Sequence, residues 1–216
     1  MAGTPTTKTL FGAERCTSSG LQAVGLFSGI GGLELGLRDA GHSTIITSEI
    51  DKAAAAVLEA HSVGGGNCGD VRKLSSLPSA TQLLFGGFPC QDLSQAGATS
   101  GIGGAKSSIV GEVFRLLGRK RVPWVLLENV PFMLQLNGGE AIRHIVTEFE
   151  TLGYRWAYRV IDTRAFGLPQ RRERVFLLAS KVEDPARLLF SEDAGPQPEV
   201  VNSSTAFGFY WTEGLR

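Results

Sequence analysis

The stretch AVGLFSGIGGLELGLRDAG, residues 23–41, runs from a short apolar segment through Gly29, Gly31 and Gly32 into an amphipathic segment that stops at Gly41. An apolar run of that length, bounded by a glycine turn, reads as a buried strand. The apolar spacing after it reads as a helix ended by glycine. Strand, tight turn and helix in that order form the opening unit of an α/β sheet, which binds its ligand at the carboxyl end of the strand. A dinucleotide fingerprint would need glycine or alanine three positions after Gly31. That position is Glu34, and a carboxylate at the helix start repels pyrophosphate. No GK[ST] follows, so a nucleoside triphosphate loop is excluded too. Glu49 lies twenty residues after Gly29, at the end of the next strand, where such folds place an acid for ribose hydroxyls. A ligand with a ribose and no phosphate meets both conditions, and S-adenosylmethionine is such a ligand.

The same alternation continues along the chain. TIITSEI (44–50) is β-branched and strand-like, and DKAAAAVLEAH is an alanine-rich helix. QLLFGGF is a further strand, SSIVGEVFRLLG a helix with Ser107 or Ser108 as its cap, and PWVLLENV (123–130) the next strand. EAIRHIVTEFETLG sets Ile142, Ile145, Val146, Phe149 and Leu152 on one helical face and leaves His144 at the surface. YRWAYRVID and RVFLLAS (174–180) follow with no helix between them. That pair is expected to be antiparallel, because a parallel crossover needs a helix or a dozen or more residues. The reading is a doubly wound, mostly parallel α/β sheet with an antiparallel strand near one edge.

Composition narrows the function. Lys plus Arg equals Asp plus Glu at 21 each, so no global field attracts a polyanion, and nucleic-acid contact would need a local basic cluster. The three cysteines, Cys16, Cys68 and Cys90, form no C-x-x-C pair, which suggests neither a zinc site nor a disulfide framework and fits a reducing compartment. No apolar run reaches membrane-spanning length, so no membrane role and a cytoplasmic location of bacterial type are expected. Residues 1–20 read as a flexible leader, 21–181 as the cofactor-binding domain and 182–216 as a connector. That connector ends in the crowded aromatics Phe207, Phe209, Tyr210 and Trp211.

Cys90 stands apart. It follows Pro89 at the end of GGFPC and precedes the polar QDLSQAG, a framing that a structural cysteine packed among aliphatics does not need. GGFPCQ, ENV (128–130) and QRRERVFLL (170–178), with FSGIGG ahead of them, together resemble the DNA (cytosine-5) methyltransferase family over roughly residues 22–180. The resemblance implies a Rossmann-like fold binding S-adenosylmethionine, no metal, DNA as partner and a setting in restriction and modification. It implies Cys90 as nucleophile, Glu128 at the cytosine N3 and amino edge, Arg174 near the base or its phosphate, and Arg172 in support. It places Phe27, Ser28, Gly29, Ile30, Gly31 and Gly32 in the cofactor turn. Glu49 and Ile50 then fall at the ribose and adenine, Asp70 at the adenine amino group with Val71 beside it, and Gly87 and Pro89 along the cofactor. Gln91, Ser94, Asn129 and Gln170 fall to the substrate.

The family pattern is departed from in two places. Lys106 and Ser107 stand where an Asp-x-Arg is often found, and Ile50 stands in place of an aromatic. A target-recognition domain and a late GNS segment, both features of the family, do not occur by Arg216. The expectation is therefore a catalytic part that relies on more protein, in the same chain or in a second polypeptide. The same chemistry on tRNA, or a cofactor-binding fragment without turnover, stays open at this point.

Overall fold

The computed structural model describes residues 20–61, 63–89 and 109–191. Cys16, Cys90, Gln91, Ser94, Lys106, Ser107, Ser108 and the aromatics after residue 206 lie outside them, as does the leader up to residue 19.

Six strands form one sheet in the order β2-β1-β3-β4-β6-β5. These are β1 (Gln22–Leu26), β2 (Ser43–Ser48), β3 (Leu83–Gly87), β4 (Trp124–Asn129), β5 (Arg155–Asp162) and β6 (Glu173–Ser180). The pairs β1–β2, β1–β3 and β3–β4 are parallel. β6 runs antiparallel to both β4 and β5, which is the antiparallel element that the missing helix in the sequence predicts.

Period-two alternation divides the core between the two faces of the sheet. Ala23, Leu83 and Phe85 meet Leu33 and Leu37 of α1 (Gly32–Asp39) on one face. Val24, Leu26, Leu84, Val125 and Leu127 face α3 (Ile109–Arg119) and α4 (Glu140–Thr151) on the other. The second face is the larger. Phe149 of α4 is fully buried, edge-on to Phe114 at 5.1 Å and to Tyr154 at 5.6 Å. Burying such a ring contributes roughly 2–3 kcal/mol. His144 is not a surface residue as its position suggests; it is half-buried, with its ring edge 6.5 Å from Phe114.

The turns that end the helices follow local chemistry. Gly41 takes φ 92 and closes α1, donating to the Arg38 carbonyl at 2.9 Å. Asp51 caps α2 (Lys52–Ala60) by accepting from the Ala54 amide at 2.8 Å. Past Ser180, where a connector is expected, the chain first forms a short helix α5 (Pro185–Leu189). Asp184 caps it, and the Leu189 carbonyl accepts from Arg159 of β5 at 3.2 Å. Among the described residues no helix is long and apolar enough to cross a membrane.

Candidate active site at the carboxyl edge of the sheet

β1, β2, β3 and β4 end on the same edge, and the predicted site residues follow those ends. After Leu26 the chain turns sharply: Phe27 takes φ 55, Gly29 φ 54 and Gly31 φ 93. For Phe27, a residue with a Cβ, this left-handed conformation is uncommon and must be held by its surroundings. Two main-chain bonds do so, Ser28 N–H to the Ser48 carbonyl at 3.2 Å and Gly31 N–H to the Ser28 carbonyl at 2.9 Å.

Glu49 adds the third restraint. Its Oε2 accepts from the Gly29 amide at 2.7 Å and its Oε1 from the Asp51 amide at 2.7 Å. Each carboxylate oxygen has a second lone pair, so these bonds orient the group and still leave it able to accept from a ligand. Asn67 holds Glu49 from behind: its Oδ1 accepts from the Glu49 amide at 2.8 Å, and its Nδ2 donates to the Glu49 carbonyl at 2.9 Å. Nothing in GGGNCGD announces that role for Asn67.

A cavity of about 140 Å³ opens beside this turn. Phe27, Glu49, Ile50, Asp70, Val71 and Pro89, all predicted at the cofactor, line it together. Ser48, Gly69, Arg72 and Ile109 complete the wall and are not legible as site residues from their order in the chain. Ile50 is 65% exposed, an apolar side chain held at the mouth. Asp70 is already engaged: Arg72 grips both its oxygens, Nε to Oδ1 at 2.9 Å and Nη2 to Oδ2 at 2.8 Å. The guanidinium holds the Asp70 carboxyl below its usual range, mainly by hydrogen bonding. Glu34 does not face outward at the helix start, where it would confront a phosphate; it is 2% exposed and turned inward.

The second cluster lies at the ends of β4 and β6. Register pairs Glu128 with Gly87 on one side and with Phe176 on the other. Arg174 Nε meets Glu128 Oε1 at 2.7 Å, so two of the predicted catalytic residues form a half-buried ion pair. Gly87 makes room for it, since a Cβ there would stand 2.7 Å from Glu128 Oε2. Glu128 thus projects over the end of the strand that leads to Cys90, three residues on.

Asn129, expected at the substrate, is 4% exposed, and its amide is turned to the main chain. Its Nδ2 donates to the Phe88 carbonyl at 2.9 Å, and its Oδ1 accepts from the Val130 amide at 2.8 Å. It fastens the end of β4 to the segment leading to Pro89. Gln170 and Arg172 are exposed and sit on a loop tied by Thr163, whose hydroxyl donates to the Gln170 carbonyl and whose amide donates to the Arg172 carbonyl. Among the described residues, neither of these side chains joins the Glu128–Arg174 pair.

Three comparisons with known proteins bear on this arrangement. A model of the C-5 cytosine-specific DNA methylase family matches residues 21–206. Over 205 residues the chain is 50% identical to the type II methyltransferase M2.BsuMI of Bacillus subtilis (strain 168), covering 91% of this chain and 52% of that protein. It is 38% identical over 159 residues to the type II methyltransferase M.BsuFI of Bacillus subtilis, covering 73% and 39%. The chain thus spans about half the length, or less, of these curated relatives. Among solved structures, the S. pombe Dnmt2 methyltransferase matches with a TM-score of 0.58 at 20% identity, over 83% of this chain and 58% of that one. A putative DNA modification methyltransferase from an E. coli prophage matches at 0.60 and 24%, over 74% and 47%. These last two likenesses show the fold.

Proposed function

The chain belongs to the C-5 cytosine-specific DNA methylase family, and on that premise we propose that it is the catalytic part, residues 21–181, of an enzyme that transfers a methyl group from S-adenosylmethionine to C5 of cytosine in DNA. The observation that carries this reading is the Glu128–Arg174 ion pair, poised over the end of the strand leading to Cys90 and on the same sheet edge as a carboxylate-lined cavity. The cavity suits the adenosine end of the cofactor: Glu49 accepts from ribose hydroxyls, Asp70 from the adenine amino group, and Ile50, Val71, Pro89 and Ile109 supply apolar walls. When bound, the cofactor supplies a methyl group made electrophilic by its sulfonium.

The protein's own residues do the rest. C5 of cytosine is a poor nucleophile until something adds to C6. The Cys90 thiolate forms that bond, and the ring's electron pair moves toward N3 and C5. Glu128 meets N3 and the amino group and shares a proton with N3 as charge arrives there. Arg174 fixes the Glu128 oxygen that faces away from Gly87, and its positive charge favours thiolate over thiol nearby. Once C5 has taken the methyl group, its proton passes to solvent as the C6–sulfur bond breaks, which returns the thiolate and restores the ring. A base inside a duplex cannot reach this edge, so it flips out. Arg172 would support Arg174, and Gln170, Gln91 and Ser94 would contact the nucleic acid. Residues 182–216 would lead toward a recognition region, carried by further protein in the same chain or in a second polypeptide. The cytoplasm is the setting this implies.

Mechanism-based trapping tests the reading. The chain, alone and with candidate partner segments, is mixed with S-adenosylmethionine and duplex DNA carrying 5-fluorocytosine, with a matching RNA in parallel. A covalent adduct mapping to Cys90 on DNA is expected, and Cys90→Ser abolishes it. An adduct on RNA alone, or none while cofactor binds, sinks the DNA assignment.

A further inference from the structure

Directly under the cofactor turn lies a polar pair that the proposed chemistry does not use. Neither oxygen of the buried Glu34 carboxyl has a hydrogen-bond partner among the described residues, and neither does the buried Ser28 Oγ. The two share one pocket. A Cβ on Gly25 of β1 would come 2.5 Å from Glu34 Oε1, 3.0 Å from Ser28 Oγ and 3.0 Å from the Phe85 ring. The bare glycine therefore opens the space that the carboxyl and the hydroxyl fill.

That space is hostile to a charge. β1 and β3 present Gly25 and Phe85 to the carboxyl, and the charged side chain that acts on it from the loop after β2 is Glu49, of the same sign. On α1 itself, Arg38 is turned to Asp39, and just beyond the helix His42 Nδ1 accepts from the Leu21 amide. Burial pushes the Glu34 carboxyl above its ordinary value of 4.5; the nearby Ser28 hydroxyl and the Glu34 amide, which favour the charged form, oppose that in part, and the Glu49 charge adds to it. Burial outweighs the hydroxyl and the amide, so the ionised carboxylate is the costlier form, and the acid form finds an acceptor in the adjacent hydroxyl.

We propose that Glu34 is a positioning residue for the cofactor turn: as the uncharged acid it donates a hydrogen bond to Ser28 Oγ, holds residues 27–31 in their left-handed turn, and weakens cofactor binding when it ionises. Ser28 is the right point to grip, since its amide and carbonyl make the two main-chain bonds that close the turn. The inference rests on the proposed function for the identity of the cofactor, but the state of Glu34 is measurable without it.

The first experiment is thermal unfolding of the 216-residue chain against pH, wild type beside Glu34→Gln. The amide is nearly isosteric and still donates to Ser28 Oγ. A folded-state value raised above 4.5 gives stability that is complete below 4.5 and lost as pH rises through the raised value. Wild type should therefore lose several degrees of Tm against Glu34→Gln over that window. Calorimetric titration with S-adenosylhomocysteine should show the wild-type affinity falling about tenfold across the same window, about 1.4 kcal/mol. Glu34→Gln stays flat, and Glu34→Met binds weakly at every pH. If wild type and Glu34→Gln track each other in both readouts, the inference is overturned. If wild type binds no S-adenosylhomocysteine, the cofactor assignment falls, and the Tm profile still decides whether Glu34 is the uncharged acid. Should the amide variant fail to fold, the infrared carboxylic-acid band of glutamate-labelled wild type, measured just above pH 4.5, decides instead. Its presence, shifted in Ser28→Ala, supports the proposal, and its absence overturns it.

Discussion

The two halves of the site are held in place by different means. On the cofactor side, loops at the ends of parallel strands are stitched by side chains bonding to main chain: Glu49 to the amides of Gly29 and Asp51, Asn67 to both main-chain groups of Glu49, Ser48 Oγ to the Gly69 carbonyl at 2.6 Å. On the other side, position comes from register. β6 lies antiparallel to β4, so Arg174 arrives beside Glu128 at 2.7 Å as a consequence of strand pairing. Parallel strands all discharge into loops on one edge, and loops need stitching. An antiparallel neighbour runs back along that edge and delivers its side chain directly.

If this division is right, each half can be disabled alone. The largest effect is expected for Glu128→Gln, which keeps the shape and loses the shared proton. Adduct formation with 5-fluorocytosine DNA should slow by about a hundredfold to ten-thousandfold, while S-adenosylhomocysteine affinity is unchanged. A matching loss of cofactor affinity would mean that the halves are one unit. Asn67→Ala cuts the stitching instead. Cofactor affinity should weaken about tenfold, roughly 1.4 kcal/mol, with adduct formation at saturating cofactor preserved. The smallest effect tests the frame behind both. Tyr154 is 3% exposed and donates to the Val122 carbonyl at 2.8 Å. Burial pushes its phenol from 10 up to about 12. A raised acid gives stability that is complete below the unfolded value of 10 and lost as pH climbs through about 12. Tyr154→Phe should cost about 1 kcal/mol in denaturant unfolding at neutral pH and should not show the wild-type decline in that alkaline window, with both halves of the site intact.

The fold was legible in the sequence because its signals are local. Apolar runs, glycine turns and helical spacing each occupy a few consecutive residues, and the missing helix after residue 155 was enough to predict the antiparallel strand. The gathering of the candidate residues was legible where a motif names the residue type: Glu49 and Asp70 line one cavity, and Glu128 and Arg174 meet as an ion pair. It was not legible where a side chain serves a distant main-chain group. Asn129 is expected at the substrate, and nothing in its neighbours along the chain announces its bond to the Phe88 carbonyl, 41 residues away in sequence. Glu34 reads as an outward charge because helical position alone does not reveal that Gly25, on another element, leaves it a hole to enter. Arg72 hides for a local reason: its hold on Asp70 depends on the extended backbone of Asp70 before the 3₁₀ turn Val71–Lys73.

The place of β6 also carries a consequence for how the molecule assembles. β4 is complete in the chain well before residue 173, yet its outer edge gains a partner only when β6 slots between it and β5. As the polypeptide emerges, the four parallel strands can therefore collapse on α3 while β4 still shows an open row of amides and carbonyls. Glu128 waits through that stage without its arginine. Insertion of β6 seals the edge and supplies Arg174 in the same motion, so completion of the Glu128–Arg174 pair is coupled to the last strand to join the sheet.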